Sequence, residues 1–519
     1  MRNLIVVVCV SSLLLSIATA NAAKHPNIVL INADDLGYGD LGCYGATKVK
    51  TPAIDRLAKE GRRFTDAHTA AAVCSPSRYG LLTGRYPLRR NFWGPIPNRT
   101  PLTIDVERLT LARLLGEAGY NTACIGKWHL GFGNKQTNWN GELKPGPLEL
   151  GFDYYYGMPT VNSGPPFVYV ENHRVVGYDP SDPFVYGKPS VTRKFPEKGG
   201  YRAIGGAEAA HRLYDDELVG TTFTEKATAW LRKQSDKKPF FLYLATTNIH
   251  HPFTPHKRFV GTSECGLYGD FIHELDWMVG EVLATVDKMK VADNTLVIFT
   301  SDNGGMLNVT GQKAWKAGHR LNGDLLGFKF GAWEGGHRIP LIARWPGKIP
   351  VESTSDLLIS QVDLLATLAA IVGRTLKDEE GQDSINQLPS LTGKPSSPPR
   401  ETLIIAPNSP KHLAIRHGKW IYIPAPLAGG FQGKRAGDHL FSDAAAIPFT
   451  ERTNSDVKGG KLRAGAPRAQ LYDLEVDPAQ ETNVFDKHPD KVKQLSATLE
   501  EYRKQIPPGK PLGWINLKQ

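Results

Sequence analysis

Cysteine is scarce, with five in 519 residues. A disulfide framework uses an even set at tight spacings, and Cys9, Cys43, Cys74, Cys124 and Cys265 are scattered along the chain. Zinc-finger spacings and Lys/Arg-rich runs are both missing, so nucleic acid is not an expected partner. Beyond the N-terminus no apolar stretch is long enough to cross a membrane. Internal repeats are absent too. Acidic residues are outnumbered, 52 against 62 Lys and Arg, which leaves a net charge of +10. Such an excess either attracts polyanions, sulfated polysaccharides among them, or is spread over a solvated surface.

What is present describes a globular protein, 41% hydrophobic and 22% charged. The length allows one large core and a smaller companion. Residues 1–22 read as a signal peptide. Arg2 supplies the positive start, residues 4–17 the apolar stretch, and Ala18-Thr19-Ala20 a small-residue cleavage site. The expected location is periplasmic or secreted.

Residues 27–31, 121–125, 240–244 and 296–299 are apolar runs without polar alternation, as in strands covered on both faces. Helical patterns lie between them, one opened by Thr51-Pro52, one at 110–119 and one carrying Phe271, Leu275, Met278, Val279, Leu283 and Val286 on one face. Strands alternating with helices predict an α/β fold with a mostly parallel sheet sandwiched by helices, here over 23–385. Residues 375–400 read as a connector. Short strands at 402–405, 413–416 and 420–423 and a last helix at 492–502 predict a C-terminal α+β subdomain with an antiparallel sheet over 386–519.

The four apolar runs lead into Asp34-Asp35, Lys127-Trp128-His129, His250 and Asp302-Asn303. Open parallel sheets bind ligands beyond the carboxyl ends of their strands. Each polar group alone reads as a cap, turn or surface pair. All four together read as one site. Asp34, Asp35, Asp302 and Asn303 are hard oxygen donors, suited to calcium or magnesium rather than zinc.

Cys74-Ser75-Pro76-Ser77-Arg78, continued into Leu81-Leu82-Thr83-Gly84-Arg85, resembles the signature of the formylglycine-dependent sulfatases. The resemblance implies an alkaline-phosphatase-like α/β domain with a smaller C-terminal domain. It further implies that a formylglycine-generating enzyme oxidises Cys74 to an aldehyde whose hydrate is the nucleophile. In that family Asp34, Asp35, Asp302, Asn303 and an oxygen on residue 74 correspond to the ligands of one divalent cation, usually Ca2+, with Mg2+ as the alternative. Arg78 corresponds to the arginine that stabilises the hydrate. Lys127 and His129, in Gly126-Lys127-Trp128-His129, match the lysine and histidine beside the nucleophile, His129 accepting a proton during sulfate release. His250, in His250-His251-Pro252, matches the histidine that contacts sulfate and protonates the leaving alcohol. Lys329 matches the sulfate-binding lysine, and Asp302 doubles as a candidate base for the attacking hydroxyl. His251, His319 and Arg320 are further substrate candidates.

A sulfate ester suits these parts physically. Its transition state spreads negative charge over the sulfuryl and leaving oxygens, so preorganised positive charge is what a catalyst supplies. The run 147–154 and the Gly-His-Arg before Lys329 resemble sulfatases of the galactosamine-6-sulfate type. The implied substrate is a carbohydrate sulfate ester, 6-linked on galactose or N-acetylgalactosamine. The aromatic-rich stretch 139–182 either stacks on sugar rings or packs over the core. Two rivals stand beside this reading: a phosphodiester or phosphonate hydrolase with the same nucleophile motif, and a non-catalytic carbohydrate-binding relative.

Overall fold

A computed structural model describes residues 25–190, 203–235, 237–393, 395–431 and 433–515. The signal-peptide expectation lies outside the described residues. Strands β1 (Asn27–Ala33), β2 (Asn121–Lys127), β3 (Phe240–Ala245) and β4 (Thr295–Ser301) coincide with the four apolar runs. They pair in parallel in the spatial order β4, β1, β3, β2, with Ile28 beside both Phe241 and Leu296. Tyr154–Met158 adds a fifth parallel strand next to β2. Leu341–Arg344 and Arg62–Phe64 extend the other edge as antiparallel strands, within a sheet of ten.

Alternate residues of these strands enter opposite cores, as the two-residue strand period dictates. Ile28, Leu30, Phe241, Tyr243, Leu296 and Ile298 face one side, and Val29, Ile31, Leu242, Leu244, Val297 and Phe299 the other. Both sides must be apolar, which is why the runs lack alternation. Helix α1 (Pro52–Lys59) and the long helix α3 (Leu267–Lys288) cover the second face.

The C-terminal sheet is antiparallel, in the order Thr402–Ile405, Ala414–His417, Trp420–Ile423, Gln470–Asp473. Helix Pro489–Arg503 packs on it through Leu495 and Leu499. That core is shared with Tyr86, Trp93 and Trp333 of the larger sheet's flank. Arg400 ties this region to the larger sheet's flank, donating to Asp363 Oδ2 at 2.8 Å and to the Tyr86 hydroxyl at 2.9 Å. Cys43, Cys74, Cys124 and Cys265 are all free thiols.

Glu274 on α3 is buried and accepts from Asn248 Nδ2 at 2.9 Å. Burial pushes its carboxyl up to about 7. A folded-state value above the unfolded one means stability that is full in acid and lost as pH rises through about 7. Glu274→Gln carries no such titration. Between pH 5 and 8 the wild-type melting temperature should therefore fall relative to that of the variant. Parallel melting curves across this range would contradict the assignment.

Candidate active site

The carboxyl ends of the four parallel strands converge. Beyond β1 the chain turns sharply at Asp35, whose φ is +60°. The turn is fixed by Asp35 N–H donating to Asp302 Oδ1 at 3.2 Å and Leu36 N–H donating to Ser301 Oγ at 3.0 Å. Asp34, Asp35 and Asp302 are buried, and each offers an oxygen within 4.8 Å of the others'. Burial, with Asp302 and Asp35 adding repulsion, pushes the Asp34 carboxyl up to about 7 although Lys127 opposes the shift. Asp34 Oδ1, Asp35 Oδ2 and Asn303 Oδ1 are buried oxygens with no hydrogen-bond partner. Buried oxygens are normally paired, and three orphans in one cluster of hard donors fit a divalent cation.

Cys74 is the first residue of helix α2 (Cys74–Thr83) and is 1% exposed. A helix N-terminus favours negative charge there. Burial raises its thiol pKa, against the pull of Lys127 and Lys329. Its Sγ lies 3.5 Å from His129 Nδ1. His129 Nε2 faces the Ile96 carbonyl oxygen at 3.3 Å. A carbonyl only accepts, so Nε2 carries the proton and Nδ1 presents its lone pair to residue 74. Burial, then Lys127 and Arg78, hold this imidazole well below its usual range and therefore neutral.

Arg78, one helical turn on from residue 74, is also 1% exposed. It donates to Asp302 Oδ2 through Nε at 3.0 Å and Nη2 at 2.7 Å, and to the Lys127 carbonyl through Nη1 at 3.2 Å. Lys127 Nζ pairs with Asp34 Oδ2 at 2.6 Å. Lys329 Nζ pairs with Asp35 Oδ1; burial lowers its pKa, but Asp35, residue 74, Asp34 and Asp302 together outweigh burial and hold the ammonium above its usual range. The Lys329 loop is set by backbone bonds, Lys329 N–H to Gly305 O at 3.0 Å and Phe330 N–H to Ala72 O at 2.7 Å. Asp35, His129 and Phe330 all have positive φ without being glycine. Such outliers cost energy and cluster at functional sites. Gly304 has no room for a side chain, since a Cβ would stand 1.9 Å from Gly335 O.

His250 Nδ1 lies 2.7 Å from His251 O and 3.0 Å from Asn162 Oδ1, both acceptors, so Nδ1 carries the proton. Its Nε2 faces inward, 3.9 Å from Asp35 Oδ2. Burial, followed by His251 and Lys329, keeps the ring well below its usual range.

Cys74, Arg78, Lys127, His129, His250, Lys329, Asp34, Asp35, Asp302 and Asn303 thus form one buried cluster. His251 stacks on His250 with ring centroids 4.3 Å apart. His319 is 1% exposed and bonds Asp40 Oδ1 through Nε2 at 2.7 Å. Asp40 also accepts from Gly37 N–H and Tyr268 OH, so His319 braces the loop after β1 from behind. Arg320 is exposed and lies over the Trp315 ring at 4.5 Å. Of the stretch 139–182, Trp139, Phe152, Tyr155, Tyr156, Phe167 and Tyr169 are buried in the two cores. Within this stretch the Asn162 side chain bonds His250, and the Pro159 carbonyl accepts from His129 N–H at 3.2 Å. Gln361, also not expected, ties α2 to β4 by accepting from Ser77 Oγ at 3.3 Å and donating to Ser301 O at 2.7 Å.

The Sulfatase family model matches residues 26–374. The chain is 40% identical over 511 residues to an N-acetylgalactosamine-6-O-sulfatase of Bacteroides thetaiotaomicron, covering 93% of this chain and 94% of that one. It is 36% identical over 381 residues to the N-acetylgalactosamine-6-sulfatase of Homo sapiens, covering 72% and 67%. A solved structure from work on glycosaminoglycan metabolism by Bacteroides thetaiotaomicron superposes with a TM-score of 0.80 at 36% identity, covering 93% of this chain and all of that one. A parallel sheet that gathers a Cys-x-Pro-x-Arg helix, three acids and two lysines at one edge, with these relatives, makes the chain a member of the sulfatase family.

Proposed function

We propose that this sulfatase hydrolyses the 6-O-sulfate ester of a galactose or N-acetylgalactosamine saccharide, with residue 74 as a hydrated formylglycine. Its similarity along 93% of the chain to a protein named for this linkage supports the substrate. The observation that carries the chemistry is position 74 on a helix N-terminus, with Lys127, Lys329 and Arg78 converging beside it and a neutral His129 at 3.5 Å. Residues 1–22 support export, and no helix among the described residues is long and apolar enough to cross a membrane.

As an aldehyde hydrate, position 74 supplies two hydroxyls on one carbon, one to take the sulfuryl group and one to drive its release. A bound Ca2+ would be held by Asp34, Asp35, Asp302 and Asn303 and would supply fixed positive charge beside the sulfate. The chain's own groups do the rest. Lys127 and Lys329 fix the sulfuryl oxygens and neutralise their growing charge. Arg78 anchors Asp302, which can take the proton of the attacking hydroxyl. His129 Nδ1 receives a proton from residue 74. When the sulfate binds, its negative charge offsets Lys329 and Lys127, so His250 takes up a solvent proton at Nε2 and passes it to the leaving alcohol oxygen. The buried setting excludes water and strengthens each of these charges.

Incubation of the enzyme from its native host with N-acetylgalactosamine 6-sulfate and 4-nitrophenyl phosphate tests this. Inorganic sulfate should be released, and phosphate turnover faster by orders of magnitude would overturn it. Lys329→Ala should lower kcat by about 10²–10³, the range for losing one preorganised donor. An unchanged kcat in that variant removes Lys329 from the reaction.

A further inference from the structure

The chain between the Trp420–Ile423 strand and the Asp443–Thr450 helix leaves the C-terminal sheet and reaches the catalytic cluster. Ala428 O accepts from Ala332 N–H at 2.8 Å. Phe431 meets Phe330, the neighbour of Lys329, edge-on at 4.9 Å between centroids. Phe431 and Leu440 pack on Val73, Cys74, Met306 and Phe330. Residues 433–440 then close a turn, with Gly433 N–H donating to Leu440 O at 2.6 Å. Asp438 Oδ2 accepts from the Lys434 and Arg435 amides at 2.6 and 3.1 Å. Gln312 clamps the turn from the catalytic side, donating to Asp438 O at 3.0 Å and accepting from Gly437 N–H at 2.7 Å.

This turn holds His439 edge-on to His251, with ring centroids 4.3 Å apart, and His251 is stacked on His250. Burial and Lys329 lower the His439 imidazole below its usual range, and Asp35 pulls the other way. His439 itself is exposed to solvent. Three imidazoles run outward in a row from the proton donor. On the proposed mechanism the leaving group lies beside His250, and exposure rises along this row from buried His250 to exposed His439.

We infer that His439 is a specificity residue, resting on the sulfatase reading above: its imidazole hydrogen-bonds a hydroxyl or acetamido group of the leaving saccharide. The C-terminal part of the chain thereby furnishes one wall of the sugar site. A flat apolar leaving group offers this imidazole no hydrogen bond, so the contact separates sugars from simple aryl esters.

The test compares wild type, His439→Ala and His439→Gln on N-acetylgalactosamine 6-sulfate and 4-nitrophenyl sulfate. With Ala, kcat/KM on the sugar should fall about tenfold more than on the aryl ester, chiefly through KM, as expected for a hydrogen bond lost with its partner stranded. Gln retains a donor and acceptor and should recover part of the sugar activity. Equal losses on both esters, or no loss on either, would overturn the inference while leaving the sulfatase reading intact. Wild-type enzyme that releases sulfate from neither ester would overturn both.

Discussion

Replacing Cys74 by alanine removes turnover, with kcat falling on the order of 10⁵–10⁶, the scale for deleting a catalytic nucleophile. The fold should survive. The side chain is small and sits among Val73, Met306 and Phe330, so its loss leaves a shallow void costing about 1 kcal/mol. Near-native circular dichroism with no sulfate release is the expected pair of results. No neighbour can stand in for residue 74. His129 Nδ1 is aimed at it, and the lysines beside it are tied to Asp34 and Asp35. Mass spectrometry of the peptide spanning residue 74 in the wild-type enzyme should find an aldehyde in place of the thiol. Wild-type rates in the Ala variant would dismiss the mechanism outright.

Arg78→Ala should strongly destabilise the protein. The guanidinium binds Asp302 Oδ2 twice and caps the Lys127 carbonyl, all out of solvent. Burial alone favours a neutral Asp302, and Arg78, Lys127 and Lys329 together hold it ionised, below the usual carboxylate range. Without the guanidinium, a buried carboxylate loses its main partner, at a cost of about 3–5 kcal/mol. The variant should unfold at markedly lower denaturant and lose activity in the fraction still folded. Arg78→Lys keeps the charge without the two-pronged geometry and should recover only part of the stability. A denaturation midpoint equal to wild type would show that Asp302 does not depend on this arginine.

The four parallel strands were legible because a strand buried on both faces must be apolar throughout, and such runs stand out. The residues at their ends were legible for the same reason, since polarity resumes abruptly at Asp34, His129 and Asp302. Helix α3 showed itself through Phe271, Leu275, Met278, Val279, Leu283 and Val286 on one face, although it begins at Leu267. The two-residue edge strands Val170–Glu171 and Arg174–Val175 are too short to carry a period. Asn162, Gln361 and His439 lie far along the chain from the residues they touch, so no local pattern marks them. The spacing of His319 from Lys329 says nothing about Asp40, its partner in the fold. The aromatic stretch was ambiguous because composition does not reveal which way a ring points.

Cys74 is packed against Phe330 and the Phe431 arm, which comes from about 350 residues further along the chain. On the reading proposed above, an enzyme that oxidises the thiol must act before that arm docks. Maturation is therefore a race on the emerging polypeptide, between oxidation of an extended segment and the arrival of the C-terminal half. Hosts with little oxidising capacity should yield well-folded, inert molecules, and slowing synthesis should raise the active fraction without altering the yield of protein.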